Sequence, residues 1–350
     1  MRSDSVVDMR KKKLQYPCKC LNKINNLNLC RLSHRSEKKL INAVSTLASS
    51  ANICVLNKKF MEVHARMEAR REYLRNECSR HGLDSAGQKS TAWEYLINRQ
   101  YHVIWCNIFK AASTSWMYNF NLMANYSAAF LDKTKEVPLQ LARRKYARPT
   151  SEMVKKAQPD SITFLIVRHP LERLASAYND KIVHAWPKSF HDKMGQRIIK
   201  KYRKAARLTA HEKYPVFEEF VAYVLDEAKA KRSLDMHWTP YTTFCTPCKF
   251  NFDVILKFET LDEDQRYLIQ LARLQDIVKP EWRNSGKGTN TLHNINHLYS
   301  RLKRRQLDNL YNLYRFIYFF YPIQTFTPYF LHLGVEFYKT LKLIFFICYK

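Results

Sequence analysis

Two short apolar runs, Tyr101-His102-Val103-Ile104-Trp105-Cys106 and Ile162-Thr163-Phe164-Leu165-Ile166-Val167, each lead through a polar turn into a helical pattern. This repeated order constrains the fold more than any other feature. Runs this short, rich in β-branched and aromatic side chains, suit strands buried on both faces of a parallel sheet. After the first run, Asn107 to Ser113 supplies the turn, and Ser113-Thr114-Ser115 offers N-cap groups to a helix through Trp116, Tyr118, Phe120 and Met123. After the second, Pro170 suits a first helical turn. Leu171, Leu174, Ala175, Tyr178 and Ile182 then recur at helical spacing as one apolar stripe. A third strand is expected at Val254–Phe258, with further helices over Phe60–Cys78, stopped by Gly82, over Val216–Ala230 and over Leu302–Tyr318. Strands alternating with helices imply an α/β fold, a central parallel sheet flanked by helices, with ligands at the carboxyl ends of the strands.

The folded unit is expected over residues 60–320. Residues 1–59 are basic and Asn-rich without periodicity and read as a tail or stem. Within them Leu40–Asn57 is an uncharged run of 18 residues between lysine pairs, long enough to anchor in a membrane but diluted by Asn42, Asn52 and Asn57. Residues 321–350 form an aromatic-rich C-terminal extension, and Pro322 and Pro328 would break a spanning helix there. The sequon Asn125-Tyr126-Ser127 falls on the helix expected after the first strand.

With 59 Lys+Arg against 31 Asp+Glu, the formal charge of +28 attracts a polyanion: nucleic acid, an anionic membrane or an acidic polysaccharide. The basic residues are spread along the chain and no nucleic-acid module is visible, so nucleic acid is not the expected partner. Nine cysteines are too few for a disulfide scaffold at this length. Cys245-Thr246-Pro247-Cys248 is the only CxxC pair, and no second pair completes a tetrahedral zinc site. A structural disulfide or buried thiols are expected, and no metal.

Chemistry concentrates in the two turns. Phe109-Lys110-Ala111-Ala112-Ser113-Thr114-Ser115-Trp116 places a lysine and three hydroxyls between a strand and a helix N-terminus, where free amides and the helix dipole favour an anion. The loop lacks the glycines of GxxxxGK[ST], and its lysine precedes the hydroxyls, which speaks against a nucleoside-triphosphatase. Arg168 ends the second strand, and Ser176 follows two turns into the next helix, so both could address a second phosphate at the same sheet edge.

The segments Phe109–Trp116 and Arg168-His169-Pro170-Leu171-Glu172-Arg173-Leu174-Ala175-Ser176-Ala177-Tyr178 resemble the two donor-binding motifs of Golgi carbohydrate sulfotransferases. His237-Trp238-Thr239-Pro240, the CxxC pair and Lys257-Phe258-Glu259-Thr260-Leu261 extend the resemblance to the branch with chondroitin, dermatan and HNK-1 sulfotransferases. The resemblance implies a P-loop-like sulfotransferase fold and transfer of a sulfuryl group from 3′-phosphoadenosine 5′-phosphosulfate (PAPS), without a metal, to a glycan hydroxyl, the acceptor being an acidic chondroitin- or dermatan-like chain. It implies that Lys110, Ala111, Ala112, Ser113, Thr114, Ser115 and Trp116 hold the 5′-phosphosulfate, and that Arg168 and Ser176 hold the 3′-phosphate. Lys110 would also stabilise the leaving oxygen. It implies a single-pass type II protein of the Golgi membrane with a lumenal catalytic domain. His237 is the expected general base, with His169 the alternative. The family more often has aspartate where this chain has His169. Lys287-Gly288-Thr289 stands where a late loop would cover the nucleotide, in place of the branch's usual Arg-Thr-Thr.

Overall fold

The computed structural model describes residues 58–85, 87, 89–203, 213–278, 280 and 291–320. Its centre is a four-stranded sheet in the order β1 (Tyr95–Asn98), β2 (Val103–Cys106), β3 (Ile162–Val167) and β4 (Val254–Lys257). β2, β3 and β4 are parallel, with Val103 opposite Ile162 and Phe164 opposite Val254, and every residue in these three strands is buried. The expected parallel sheet is therefore present across three strands. It is completed by an edge strand absent from the sequence reading: β1 pairs antiparallel with β2, Tyr95 opposite Cys106. A tight turn with His102 in the left-handed region joins the two.

The helices follow the expected periodicities closely. α1 spans residues 58–80 and stops at Gly82, whose φ of 61° an L-residue adopts only with strain. α2 (Ser113–Met123) and α3 (Pro138–Lys145) lie between β2 and β3. α4 (Pro170–Ala177) leaves β3 with proline at its start and continues into one π-helical turn, Tyr178–Val183. α5 (Phe190–Tyr202), α6 (Phe217–Lys229), α7 (Leu261–Leu271), α8 (Thr291–Ser300) and α9 (Arg304–Tyr314) complete the set used below. The stripe Leu171, Leu174, Ala175, Tyr178 and Ile182 is buried throughout.

Aromatic packing holds α2 to the sheet. Trp116 meets Phe164 with ring centroids 4.8 Å apart, and Phe120 meets Trp105 at 5.3 Å. α1 is joined to the far edge by charge: Arg66 and Arg70 reach the wholly buried Asp264 at 2.9 and 2.6 Å, and Arg70 also donates to the Ile255 carbonyl.

Two disulfides cross the fold, Cys78–Cys248 and Cys106–Cys245. The CxxC cysteines thus pair with distant partners rather than with each other. The sequon asparagine, Asn125, lies beyond the end of α2 rather than on it, exposed in a turn with φ 65°. No described helix is long and apolar enough to cross a membrane. The run Leu40–Asn57, Lys287 and residues 321–350 fall outside the described residues.

Candidate active site

The carboxyl ends of β2, β3 and β4 open on one edge of the sheet, and the loops carrying Lys110 and Arg168 meet there. In the first loop Lys110 and Ala112 both take left-handed backbone conformations, with φ of 69° and 56°. Outside glycine this conformation costs about 1 kcal/mol per residue, so something must hold it. Arg168 does part of this, its Nη1 donating to the Lys110 carbonyl at 3.2 Å, and the Ala111 N–H donates to Ile108 O at 3.2 Å. Strain of this kind concentrates where a backbone must approach a ligand.

Ala112, not a serine, is the N-cap of α2, and it provides no side-chain cap. The Ser113–Ser115 hydroxyls are therefore not the helix caps expected of them. The first helical hydrogen bond runs from the Trp116 N–H to Ala112 O, while the N–H groups of Ser113 and Thr114 make no hydrogen bond among the described residues. Thr114 is exposed, Ser113 half-buried and Ser115 buried. Trp116 departs from its expected part: its side chain is wholly buried in the aromatic core, and its backbone N–H donates to Ala112 O. Ala111 is equally buried, its N–H taken by Ile108, so it shapes the turn without presenting a group.

The Lys110 ammonium lies 2.9 Å from Asp180, which also pairs with Lys181 at 3.2 Å; both residues belong to the π-turn after α4. Burial lowers the Lys110 pKa, and the Asp180 ion pair opposes it. Burial would raise the Asp180 carboxyl, but the two lysines outweigh it and hold the carboxyl below its usual value.

Arg168 lies under the first loop. Its Nε is 3.4 Å from Glu172 and its guanidinium 4.2 Å above the Phe258 ring, leaving Nη2 without a hydrogen bond among the described residues. Ser176 is half-buried on α4.

The first loop is also joined to the segment that carries His237. Arg173, wholly buried, donates from Nε to Phe109 O at 2.8 Å, from Nη1 to Thr239 O at 2.8 Å and from Nη2 to Met236 O at 2.9 Å. This places the His237 ring 5.2 Å from the Phe109 ring.

His237 Nδ1 contacts Asp235 Oδ1 at 2.6 Å, and the other carboxylate oxygen of Asp235 contacts His191 Nε2 at 3.0 Å. Burial lowers the His237 pKa, partly offset by Asp235. Burial alone would raise Asp235, but its hydrogen bonds to His191 and His237 take it well below the carboxylate range. The imidazole is therefore neutral at neutral pH, with Nε2 free of hydrogen bonds among the described residues. His169 is 4 % exposed, and burial lowers it to about 3. It is inside the protein and poorly placed for an acceptor hydroxyl.

His191, Asp235 and His237 are the one group among the described residues whose ligand atoms, within 4.8 Å of one another, could share a metal ion. Their contacts of 2.6 and 3.0 Å are hydrogen-bond lengths. Ligands around a tetrahedral zinc stand about 3.3 Å apart.

Arg173, Asp180 and Asp235 were not singled out from sequence. The only cue was position: two lie in or just beyond the Arg168 motif, and one lies two residues before His237.

A basic loop with left-handed backbone at a helix N-terminus and a histidine paired to a carboxylate are thus brought together at one sheet edge, an arrangement suited to group transfer from an anionic donor. The chain belongs to the sulfotransferase family, whose model matches residues 93–322. It is similar to carbohydrate sulfotransferase 11 of Mus musculus, 28% identical over 237 residues, or 65% of this chain and 67% of that protein. It is also similar to carbohydrate sulfotransferase 9 of Homo sapiens, 29% identical over 259 residues, covering 67% and 55% of the two chains. Carbohydrate sulfotransferase 10 of Xenopus laevis is 28% identical over 265 residues, covering 69% and 72%. No solved structure matches. The chain is thus a transferase of the carbohydrate sulfotransferase class, taking a sulfate donor and a glycan acceptor.

Proposed function

We propose that the chain transfers the sulfuryl group of PAPS to a hydroxyl of a chondroitin- or dermatan-type glycosaminoglycan, in the Golgi lumen and tethered to its membrane. One observation carries this reading: Arg173 fixes the Lys110 loop against the Asp235–His237 pair, so an anion site and a proton acceptor face the same edge. Lys110 and the amides of Ser113 and Thr114 hold the 5′-phosphosulfate, with the Ser115 hydroxyl beside them. Arg168 Nη2 and Ser176 take the 3′-phosphate. The glycan oxygen forms a bond to sulfur as the bond to the bridging oxygen breaks. The hydroxyl proton passes to His237 Nε2, and Lys110 neutralises the charge left on the departing phosphate. The two disulfides suit an oxidising lumen.

Incubating the chain with labelled PAPS and desulfated chondroitin, dermatan, heparan and neutral oligosaccharides tests the reading. Label is expected in chondroitin or dermatan, and no transfer to any acceptor would sink it.

The base assignment has its own test. His237→Ala should lower kcat about a hundredfold. The base acts as neutral imidazole, so activity should fail as pH falls through the folded His237 pKa, which lies below the ordinary 6.5. Asp235 raises that pKa, so Asp235→Asn should move the acidic limb to lower pH while reducing the rate through lost orientation of the ring. An acidic limb unmoved in Asp235→Asn would assign the base elsewhere.

A further inference from the structure

Trp186 is 83% exposed and Phe190 60%, the two most exposed large apolar side chains among the described residues. Two other exposed aromatics have a cover: Arg148 lies 5.0 Å over Trp93, and Phe130 stacks on Tyr126 at 5.6 Å. Among the described residues Trp186 has no ring or cation contact. Its backbone is nevertheless fixed. The Ser189 N–H donates to Trp186 O at 3.0 Å, Ser189 Oγ caps α5 by accepting from the Asp192 N–H, and Asp192 Oδ2 accepts from the Lys188 N–H at 2.7 Å. The indole is held out on a built turn rather than on a loose loop.

That turn adjoins the site. It follows the π-turn that carries Asp180 and Lys181 to Lys110, and π-turns of this kind recur at functional positions. On its other side a chain of rings leads inward: Phe190 to His191 at 5.3 Å, then His191 to His237 at 5.5 Å. Between residues 181 and 201 the basic residues Lys181, Lys188, Lys193, Arg197, Lys200 and Lys201 stand against the single acid Asp192.

We propose that Trp186 and Phe190 form an aromatic platform for a sugar ring of the acidic glycan, set beside the unit whose hydroxyl faces His237. The proposal rests on the reading of the chain as a sulfotransferase for acidic glycans. One face of a pyranose presents C–H groups that pack on an indole, and burying an exposed indole against them removes apolar surface from water. The surrounding lysines match the carboxylates of a uronic-acid polymer. The backbone that carries the indole is already fixed by its turn, so binding has no loop to order.

The test compares the full chain with Trp186→Ala and Trp186→Phe, using desulfated chondroitin polymer as acceptor. Trp186→Ala should raise the polymer KM about tenfold, with kcat and the affinity for adenosine 3′,5′-bisphosphate within about twofold of wild type. Trp186→Phe should recover most of the loss. A polymer KM unchanged in Trp186→Ala would overturn the platform even while transfer continues. Direct binding of chondroitin without donor separates the two readings: Trp186-dependent binding by a chain that transfers nothing upholds the platform and removes the transferase reading. A sedimentation mass that changes in Trp186→Ala, with chondroitin binding intact, would assign the indole to a protein contact and also overturn the proposal.

Discussion

Lys110→Ala is expected to slow sulfuryl transfer about a thousandfold, a loss of about 4 kcal/mol of transition-state stabilisation, with little change in thermal stability. In the proposed reaction charge accumulates on the bridging oxygen as the sulfur–oxygen bond breaks, and Lys110 is the cation at the start of the loop proposed to hold the donor. Its side chain is 20% exposed and its ammonium paired to Asp180, so the charge is held ready where water is already thinned. The left-handed backbone at position 110 costs alanine much what it costs lysine, so the substitution adds no new strain. Lys110→Arg should recover little, because a planar guanidinium cannot replace a compact ammonium at one oxygen. Asp180→Asn should have a smaller effect, felt in the donor KM, since it frees the lysine without removing it. Single-turnover transfer with excess enzyme separates the chemical step from donor binding. A Lys110→Ala rate within about tenfold of wild type would place the charge-stabilising group elsewhere.

What the sequence shows of this fold follows from how local the responsible physics is. β2, β3 and β4 are readable because strands buried on both faces are apolar at nearly every position, Thr163 and Lys257 being the exceptions, and that signature needs no partner to be seen. The stripe from Leu171 to Ile182 was readable for the same reason. β1 is not: Tyr95–Asn98 becomes an edge strand only through its antiparallel pairing with β2. Arg173 reads as one charge on an amphipathic helix. It becomes the buried tie between Phe109, Met236 and Thr239 only when three carbonyls from distant segments converge on it. Trp116 is the converse case, a residue in the donor motif whose side chain serves the core. The capping of α2 differs from the expected one, since hydroxyl residues beside a helix start ordinarily cap it. Here Ala112 occupies the cap, and the hydroxyls fall inside the first turn.

Removing the Cys106–Cys245 disulfide is expected to lower stability by about 4 kcal/mol and the melting temperature by about 10 °C. The bridge closes a loop with a sequence separation of 139, nested inside the loop of 170 that Cys78–Cys248 closes, and with that outer bridge in place it still pins Cys106 to Cys245 in the unfolded chain. Cys106 and Cys245 are both wholly buried. Cys106→Ala with Cys245→Ala therefore leaves a cavity but no stranded polar group, and is the cleaner variant. Its effect should reach the chemistry as well. Cys106 ends β2 immediately before the donor loop, and Cys245 lies eight residues beyond His237, so the bridge and Arg173 join the same two segments by independent means. With the bridge gone, no covalent tie among the described residues sets the distance between Lys110 and His237. Arg173 and the Tyr95 hydroxyl bonded to Cys245 O are left to do so, and kcat should fall more steeply on warming than in wild type. Thermal unfolding of the variant, paired with rates at two temperatures, measures both effects. A peptide map showing Cys245 joined to Cys248 would remove the basis of the expectation, and an unchanged melting temperature would show that the bridge constrains little.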